Sequence, residues 1–221
     1  LSPWITMPDV DWSCVTKGVQ PKLYKKNTII YHQKDKPDYV YLVKKGRVRL
    51  DIYGFNGEKI SLFIADQGTF FGELSPIDTM PNMCSATAAT DSLLYAIPIS
   101  AFMAEINRNH TFACNILQMM AKKMRLISMQ VGQLSFNNAY YRVCYALSNL
   151  IRQYGKKESD DTYRLQIKFT HQEMADLTGL SRVTVSNILS SMTCKGIIEK
   201  QDGYRIIKNL DAMLQYLLEK E

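Results

Sequence analysis

Residues 167–209 read IKFTHQEMADLTGLSRVTVSNILSSMTCKGIIEKQDGYRIIKN, a pattern that predicts the fold of the C-terminal part of the chain. Thr170 and Glu173 have the T-x-x-E spacing of a capping box, which predicts that a short helix begins there. Ser181 is a natural N-cap, so we predict a second helix over residues 182–195. Two short helices separated by a glycine-containing turn are typical of a helix-turn-helix.

The turn and the residues after the second helix complete this pattern. Ala175 and Gly179 supply the small side chains that two tightly crossing helices and their turn require. The predicted inner face of the second helix consists of Val185, Ile188, Leu189 and Met192. Asp202-Gly203 lies between two short apolar runs, which predicts a type I′ hairpin, or wing. Together these features predict a winged helix-turn-helix.

The outer face of the second predicted helix carries side chains that suit base edges. Arg182 can bind guanine or a phosphate, Val183 can contact a thymine methyl group, and Asn187 suits adenine. The predicted DNA-binding residues are Thr170, His171, Ser181, Arg182, Val183, Thr184, Ser186, Asn187, Lys200 and Arg205, with Lys208 as a further phosphate contact. Plain helix packing can give the same geometry, but these side chains favour binding to an A/T-rich inverted repeat.

Composition narrows the classes of function. A net charge of +6 and a pI of about 9.0 fit an acidic partner, although the basic excess is spread along the chain. No stretch approaches the roughly 18 apolar residues of a membrane span, and no leader pattern opens the chain, so we expect a cytoplasmic protein with no membrane partner. The dispersed cysteines and histidines predict no metal site. Catalytic motifs such as GxSxG and HExxH are absent from the sequence, so we expect no enzyme.

The region from residue 22 to residue 99 shows short alternating runs punctuated by glycine, which is typical of an all-β sandwich or barrel. Within it, RVRLDIY at residues 47–53 is expected to turn alternate side chains to the core and to water. The core-facing set is Val48, Leu50 and Ile52, and the solvent-facing set is Arg47, Arg49 and Asp51. Asn56-Gly57 then predicts a hairpin whose two central residues both have positive φ. We predict a β-roll.

A helical pattern follows Pro98 and contains a regular apolar stripe. Its residues, spaced alternately three and four apart, are Leu117, Met120, Met124, Ile127, Val131 and Leu134. Such a stripe can pack on the protein's own β-roll or on a second copy, and the sustained 3.5-residue repeat favours a dimer interface. We therefore divide the chain into a β-roll domain (1–108), a dimerisation helix (109–136) and a DNA-binding domain (137–221). Residues 156–162, KKESDDT, are predicted to form a polar surface loop.

The order of these parts resembles the CRP/FNR superfamily of bacterial transcription regulators over about residues 20–220. The resemblance is carried by YLVKKGRVRL (41–50), GTFFGELS (68–75), VGQLSF (131–136) and FTHQEMADLTGLSRVTVSNIL (169–189). It implies an α+β fold with an N-terminal β-roll, a jelly roll like that of cyclic-nucleotide-binding domains, then a long dimerisation helix and a C-terminal winged helix-turn-helix. It also implies a homodimer that binds two half-sites of double-stranded DNA, with RNA polymerase as a further partner.

The resemblance also identifies an effector pocket between the β-roll and the dimer helix. Its predicted residues are Gly72, Glu73, Leu74, Met83, Cys84, Ser85, Lys123, Ile127 and Ser128. In cyclic-nucleotide members the Glu of Gly-Glu-Leu contacts the ribose hydroxyl, and this chain keeps it as Glu73. In those members an Arg-Ser pair binds the phosphate and a Thr-Ser pair reaches the adenine. At the positions of the Arg-Ser pair this chain has Asn82-Met83, or Cys84-Ser85 if a one-residue gap is placed in the loop. At the positions of the Thr-Ser pair it has Ile127-Ser128. Cyclic AMP is therefore disfavoured, because a buried phosphate would have no arginine.

Several alternatives for the effector follow. Lys123 can form a salt bridge with Glu73, or it can pair with a weakly acidic, largely apolar ligand such as a phenolate, since the VTVS sequence and this lysine resemble the halophenol-responsive branch. An iron-sulfur cluster is disfavoured because only Cys14 lies near the N-terminus, whereas haem would need an axial ligand from His32, His110 or Cys84. A redox switch at Cys84 or Cys114 and a ligand-independent regulator stay open.

Overall fold

The computed structural model describes residues 4–7, 9–159 and 162–217. The chain forms two compact units, the first ending at Ile127 and the second beginning at Ser128. This division falls inside one long helix, whereas the sequence placed domain boundaries at residues 108/109 and 136/137. The two units are described separately.

The first unit is a β-roll made of two sheets and four helices. Its strands are β1 (Trp4–Ile5), β2 (Lys22–Tyr24), β3 (Ile29–Tyr31), β4 (Tyr39–Lys45), β5 (Val48–Tyr53), β6 (Lys59–Ala65), β7 (Phe70–Phe71), β8 (Ser85–Ala88) and β9 (Ser92–Pro98). The helices that accompany them are α1 (Ser13–Thr16), α2 (Leu74–Asp78), α3 (Ile99–Arg108) and α4 (His110–Phe136). The sheets have the orders β1-β6-β5-β8-β3 and β2-β9-β4-β7. Buried residues from both sheets and from α4 form one hydrophobic core.

The β5–β6 hairpin differs in two details from the sequence prediction. The predicted hairpin is formed and Asn56-Gly57 lies in its connection, but only Gly57 has positive φ, and Gly54 N donates to Glu58 O at 2.8 Å, so the turn is longer than two residues. Asp51, predicted to face water, is fully buried. A bulge interrupts the alternation between Leu50 and Asp51, and the Arg49 and Ser61 side chains bind the Asp51 carboxylate.

Helix α4 carries two apolar stripes, of which the sequence reading identified one. The predicted seam includes side chains that are exposed in the protomer: Leu117 (63%), Met124 (67%), Val131 (57%) and Leu134 (39%). The second stripe, spaced alternately four and three residues apart, packs on the β-roll and consists of Phe112, Ile116, Met119, Lys123 and Leu126. Lys123 thus occupies a core position of a helix, which requires a specific set of partners.

The second unit contains the end of α4 and a winged helix-turn-helix. Its remaining elements are α5 (Ala139–Tyr154), β10 (Gly155–Ser159), β11 (Thr162–Leu165), α6 (His171–Thr178), α7 (Arg182–Cys194), β12 (Ile198–Gln201), β13 (Tyr204–Ile207) and α8 (Leu210–Gln215). The strands form a sheet of order β10-β11-β13-β12. Residues 156–162, predicted to be a loop, largely belong to β10 and β11. Strand β11 pairs with β13 of the wing, and β10 pairs with β11 and forms the charged edge of the same sheet. Asp160 and Asp161 lie outside the described residues.

Local sequence signals explain why α6 and α7 form where they do. The predicted capping box is present: Glu173 N donates to Thr170 Oγ1 at 3.1 Å, and Thr170 N donates to the Glu173 carboxylate at 2.7 Å. Ser181 caps α7 by accepting from Thr184 N at 3.0 Å. Between the helices, Gly179 has φ +62° and lies against Leu134, and a Cβ at this position would stand 2.7 Å from Leu134 Cδ2. No helix in the described part of the chain is long and apolar enough to cross a membrane.

Candidate functional site

A cavity of about 340 Å³ lies in the first unit between the β-roll and the inner side of α4. This volume is within the range of about 300–1,000 Å³ typical of small-molecule sites. Most of its wall is apolar and comes from Leu50, Phe63, Phe71, Leu74, Met83, Leu117, Met120, Ala121, Met124 and Ile127. Its polar wall consists of Tyr31, Glu73, Ser75, Asn82, Cys84 and Lys123. Such a lining can hold a compact, largely apolar molecule with one or two polar groups.

The charged groups of the cavity are bonded to each other. Lys123 is 5% exposed and Glu73 is 1% exposed, and Lys123 Nζ donates to Glu73 Oε1 at 2.7 Å. Lys123 Nζ also donates to the Phe70 carbonyl oxygen at 2.7 Å and lies 5.0 Å from the centroid of the Phe63 ring. The salt bridge considered from the sequence is therefore formed, and among the described residues that line the cavity Lys123 alone is basic.

Tyr31 and Cys84 add two neutral polar groups. Burial raises the pKa of Tyr31 well above its usual value, and burial also raises the pKa of the Cys84 thiol to about 12, although nearby Lys123 opposes this shift. Both groups are therefore protonated at neutral pH. A redox role needs a thiolate, so the environment of Cys84 disfavours it as a switch. Cys114 lies 3.7 Å from His110 Nδ1 at the start of α4, away from this cavity.

Most of the predicted pocket residues line the cavity, and two do not. The residues that do are Gly72, Glu73, Leu74, Met83, Cys84, Lys123 and Ile127. Ser128 is not part of the lining, and Ser85 Oγ accepts from Gln33 N at 2.9 Å. Ser85 instead lines a separate open cleft with His32, Lys34 and Phe55. Ser85 is the first residue of β8, and its side chain faces away from that of Cys84.

The sequence reading missed the aromatic part of the lining. Tyr31, Phe63 and Phe71 come from three different strands and meet only because the two sheets fold over each other. Phe71 directly precedes Gly72-Glu73-Leu74, so its place in the sequence was a local signal that it lines the cavity. The other two rings carry no sequence signal that separates them from ordinary core residues.

The cavity and the predicted dimer seam share side chains. Leu117, Met120, Met124 and Ile127 belong to the stripe on α4 and also line the cavity. A second copy packed along this stripe would therefore contact residues that form the cavity wall.

The residues predicted to read DNA bases lie on the exposed face of α7. Val183 is 68% exposed, Arg182 and Asn187 are exposed, and Ser186 is half-buried beside them. Val185, Ile188, Leu189 and Met192 form the buried face, as predicted. Ser190, one turn beyond Asn187 on the exposed face, was not singled out from the sequence and extends the polar surface.

Arg205 is placed differently from the prediction of a basic wing residue that holds a phosphate. It is 9% exposed, and its Nη2 donates to His171 Nε2 at 2.8 Å. An arginine is always a donor, so His171 accepts through Nε2 and carries its proton on Nδ1. Burial, then Arg205, Arg182 and Lys200, lower the pKa of His171, which keeps it neutral at pH 7. Arg205 therefore joins the wing to the start of α6.

Two basic residues near the wing, Arg164 and Lys168, were not selected from the sequence, whereas Lys200 and Lys208 were. Tyr204 has Arg164 at 5.0 Å and Lys168 Nζ at 4.6 Å from its ring centroid. Lys200 is exposed, and Lys208 lies 3.6 Å from Glu199. Two cations held on one aromatic ring give the wing a positive surface suited to phosphates.

The described residues contain no group of three or more histidine, cysteine or acidic side chains that could hold a metal ion. A cyclic nucleotide would bring a phosphate into the cavity between the β-roll and α4. Between Glu73 and Ala86 the sequence has no lysine, arginine or histidine, and the ammonium of Lys123 is already bonded. The residues present do not fit that phosphate.

A β-roll with a ligand-sized cavity, followed by a winged helix-turn-helix with a polar outer face, defines a class of DNA-binding proteins built from these two domains. Comparisons with known protein families agree: residues 21–109 match the cyclic nucleotide-binding domain, and residues 141–216 match the Crp-like helix-turn-helix domain. The Cyclic AMP receptor protein of Thermus thermophilus is 32% identical over 184 residues, 83% of this chain and 82% of the relative. The chain belongs to the CRP/FNR family of DNA-binding transcription regulators.

Other relatives and solved structures agree at lower identity. The CRP-like cAMP-activated global transcriptional regulator of Mycobacterium tuberculosis is 26% identical over 91% of this chain and 89% of its own. A variant of CooA from Carboxydothermus hydrogenoformans has a TM-score of 0.78 at 22% identity, covering 95% and 92% of the two chains. OCPA-complexed CprK has a TM-score of 0.73 at 19% identity, covering 96% and 97%. At these identities the structural matches establish the fold.

Proposed function

We propose that this transcription regulator acts as a homodimer on an A/T-rich inverted repeat, under the control of a small organic effector held in the β-roll cavity. The observation that carries the proposal is the cavity itself: it is ligand-sized, mostly apolar, and its one ion pair is internal. RNA polymerase is a further proposed partner. The effector class is distinct from cyclic AMP, although the Thermus relative is named a cyclic AMP receptor.

The homodimer is supported by the exposed stripe on α4. Leu117, Met124 and Val131 are each more than half exposed, although they are large apolar side chains spaced seven residues apart. Exposed apolar residues in a continuous stripe indicate an interface, and the spacing fits a coiled coil. Family members act as dimers, and this stripe gives the chain a surface for doing so.

The DNA sequence preference is supported by the exposed side chains of α7. Asn187 can bind adenine through two hydrogen bonds, and Val183 can contact a thymine methyl group. Arg182 adds one contact to guanine or to a phosphate. Selection of binding sites from random duplexes should recover A/T-rich half-sites in inverted orientation, and recovery of G/C-rich half-sites would contradict this assignment.

The first experiment for the effector is a native mass spectrum of the purified protein, compared with its mass after denaturation. A dimer that carries additional mass would identify the class of effector directly. For a dimer without additional mass, binding of phenol, para-chlorophenol and cyclic AMP should be compared by equilibrium dialysis. We expect the phenols to be retained and cyclic AMP not to be; retention of cyclic AMP alone would contradict the proposed class, and a monomer would contradict the role of the stripe.

A further inference from the structure

We propose that the open cleft beside β8 is a second binding site of the β-roll and that it takes a small aromatic carboxylate. The cleft has a volume of about 580 Å³, which is within the range of small-molecule sites. It is lined by Ile29, His32, Gln33, Lys34, Tyr53, Gly54, Phe55, Ser85 and Thr87. None of these residues lines the cavity between the β-roll and α4, so the inference does not depend on the effector class proposed above.

The apolar wall of the cleft consists of two aromatic side chains and one aliphatic side chain. Phe55 is fully exposed, Tyr53 is 42% exposed and Ile29 is 50% exposed. Single exposed apolar residues are common on protein surfaces, whereas several that meet in one depression indicate a binding site. Because aromatic rings pack favourably on one another in offset or edge-to-face geometry, this wall favours an aromatic ligand.

The floor of the cleft is polar and is held in place by hydrogen bonds. Ser85 and Thr87 lie two residues apart on β8, so they face the same side of the sheet, and each is less than one-tenth exposed. Gln33 links this strand to β5, because its backbone N–H donates to Ser85 Oγ and its Oε1 accepts from Tyr53 N, both at 2.9 Å. The Ser85 hydroxyl keeps its own O–H to donate, and the Thr87 hydroxyl has no hydrogen-bond partner among the described residues. Two hydroxyl groups are therefore available to a ligand.

Lys34 places a positive charge beside the aromatic wall. Its side chain is exposed, forms no ion pair with a described residue, and has its Nζ 5.8 Å from the centroid of the Phe55 ring. Its backbone has φ +72°, a conformation that suits glycine, is uncommon for other residues and occurs preferentially at functional sites. Lys34 N also donates to Asn82 O at 2.7 Å, which fixes this turn against the neighbouring loop. The ammonium is therefore available to an anionic group of a ligand.

The charges around the cleft favour a ligand with a single negative charge. No acidic residue belongs to its lining, in which Lys34 and His32 are the basic residues. The carboxylate of Asp35 is engaged, since it accepts from His32 N at 2.8 Å. Asp51 lies opposite Ser85 in the sheet, but it is not part of the lining, and side chains of its own sheet bind its carboxylate. One lysine can compensate one carboxylate, whereas a phosphate monoester carries up to two charges.

An aromatic carboxylate matches the three parts of the cleft. Its ring would pack on Phe55 and Tyr53, and its carboxylate would accept hydrogen bonds from the Lys34 ammonium and from the hydroxyl groups of the floor. A neutral aromatic amide has nearly the same shape but lacks the charge, so the two compounds separate the contribution of the ring from that of the ion pair.

Binding of para-fluorobenzoate to the intact protein tests this site, because fluorine NMR detects the bound compound directly. We expect saturable binding with a Kd of about 1 mM or tighter, as befits a ligand of about ten non-hydrogen atoms. The neutral para-fluorobenzamide should bind at least about tenfold more weakly, because it cannot pair with Lys34. Equal affinities for the two compounds would overturn the role of charge, and absence of saturable binding at about 10 mM would overturn the site.

Two variants assign the binding to the cleft. Phe55→Ala removes a fully exposed side chain, so the protein should fold normally and bind para-fluorobenzoate at least about tenfold more weakly. Lys34→Gln should lower the affinity to that of the amide, whereas the matched control Lys36→Gln, at an exposed lysine two residues along, should leave it unchanged. Binding that is unchanged in both cleft variants would place the compound elsewhere and overturn the inference, without contradicting the effector proposed for the cavity between the β-roll and α4.

Discussion

In the β-roll, the charged side chains at the cavity are bonded to each other, whereas the outer face of α7 presents side chains to solvent. Lys123 and Glu73 are almost fully buried and joined at 2.7 Å. Arg182 and Asn187 are exposed, and neither donates a hydrogen bond to a described residue. The charged groups of the cavity are thus satisfied within the protein, whereas the polar side chains of α7 are available to a partner.

The largest effect is expected from breaking the buried ion pair. Lys123→Met leaves Glu73 buried without its partner, and loss of one member of such a pair lowers the free energy of unfolding by about 3–5 kcal/mol. Denaturation by urea measures this loss. The matched control is Arg125→Met, two residues along α4, where an exposed cation should matter by less than about 0.5 kcal/mol. Equal losses in both variants would show that the pair does not stabilise the β-roll.

A smaller effect is expected at the exposed face of α7. Asn187→Ala should reduce discrimination for an A·T pair in the half-site by about 1–3 kcal/mol, because a bidentate contact to adenine is lost. Fluorescence anisotropy with matched and single-substituted duplexes measures this difference. Thr193→Ala, at the far end of the same helix, is the control and should not change base preference. Loss of affinity without loss of discrimination would assign Asn187 to the phosphates.

Two glycines of the second unit give opposite expectations. Gly179→Ala should destabilise the protein by about 1–2 kcal/mol, because position 179 has φ +62° and its Cβ would meet Leu134. Gly132→Ala should stabilise α4 by up to about 1 kcal/mol, since no atom lies within 4 Å of the new Cβ. Thermal unfolding of both variants measures the contrast. A neutral result at position 179 would show that the turn does not need a left-handed residue.

The smallest expected effect is the pH dependence contributed by His171. Its folded-state pKa is lowered, first by burial and then by Arg205, Arg182 and Lys200, so the unfolded chain binds a proton more readily than the folded protein. The resulting stability is present above about pH 6.5 and is lost as the pH falls towards the folded-state pKa. His171→Gln keeps an acceptor for Arg205 and should flatten this part of the profile of unfolding free energy. An unchanged profile would show that another group is responsible.

Local signals made the winged helix-turn-helix predictable. The predicted helix caps are formed by Thr170, Glu173 and Ser181. In the wing, both Asp202 and Gly203 have positive φ, as a type I′ turn requires. Each of these features depends on residues close in sequence, so the chain itself specifies them. The β-roll was recognisable from its alternation and its glycines for the same reason.

The errors arose where distant parts of the chain meet. Asp51 was assigned to the surface because strict alternation takes no account of the bulge against β6 or of Ser61 on that strand, which donates to the Asp51 carboxylate. Arg205 was assigned to the wing surface, but its contact with His171 lies 34 residues away in sequence. The aromatic cavity wall comes from separate strands. Burial and pairing at such distances depend on the assembled fold, which periodicity alone does not specify.

Neighbouring residues at the start of β8 face different spaces, and this has a consequence for how such proteins diversify. Cys84 lines the enclosed cavity, while Ser85 lines the open cleft on the other side of the sheet. A slip of β8 by one residue would exchange these two orientations, but it would also turn the buried Ala86 and Ala88 away from the core. This edge of the cavity can therefore change by substitution at position 84, whereas a shift of the strand register would disrupt the hydrophobic core.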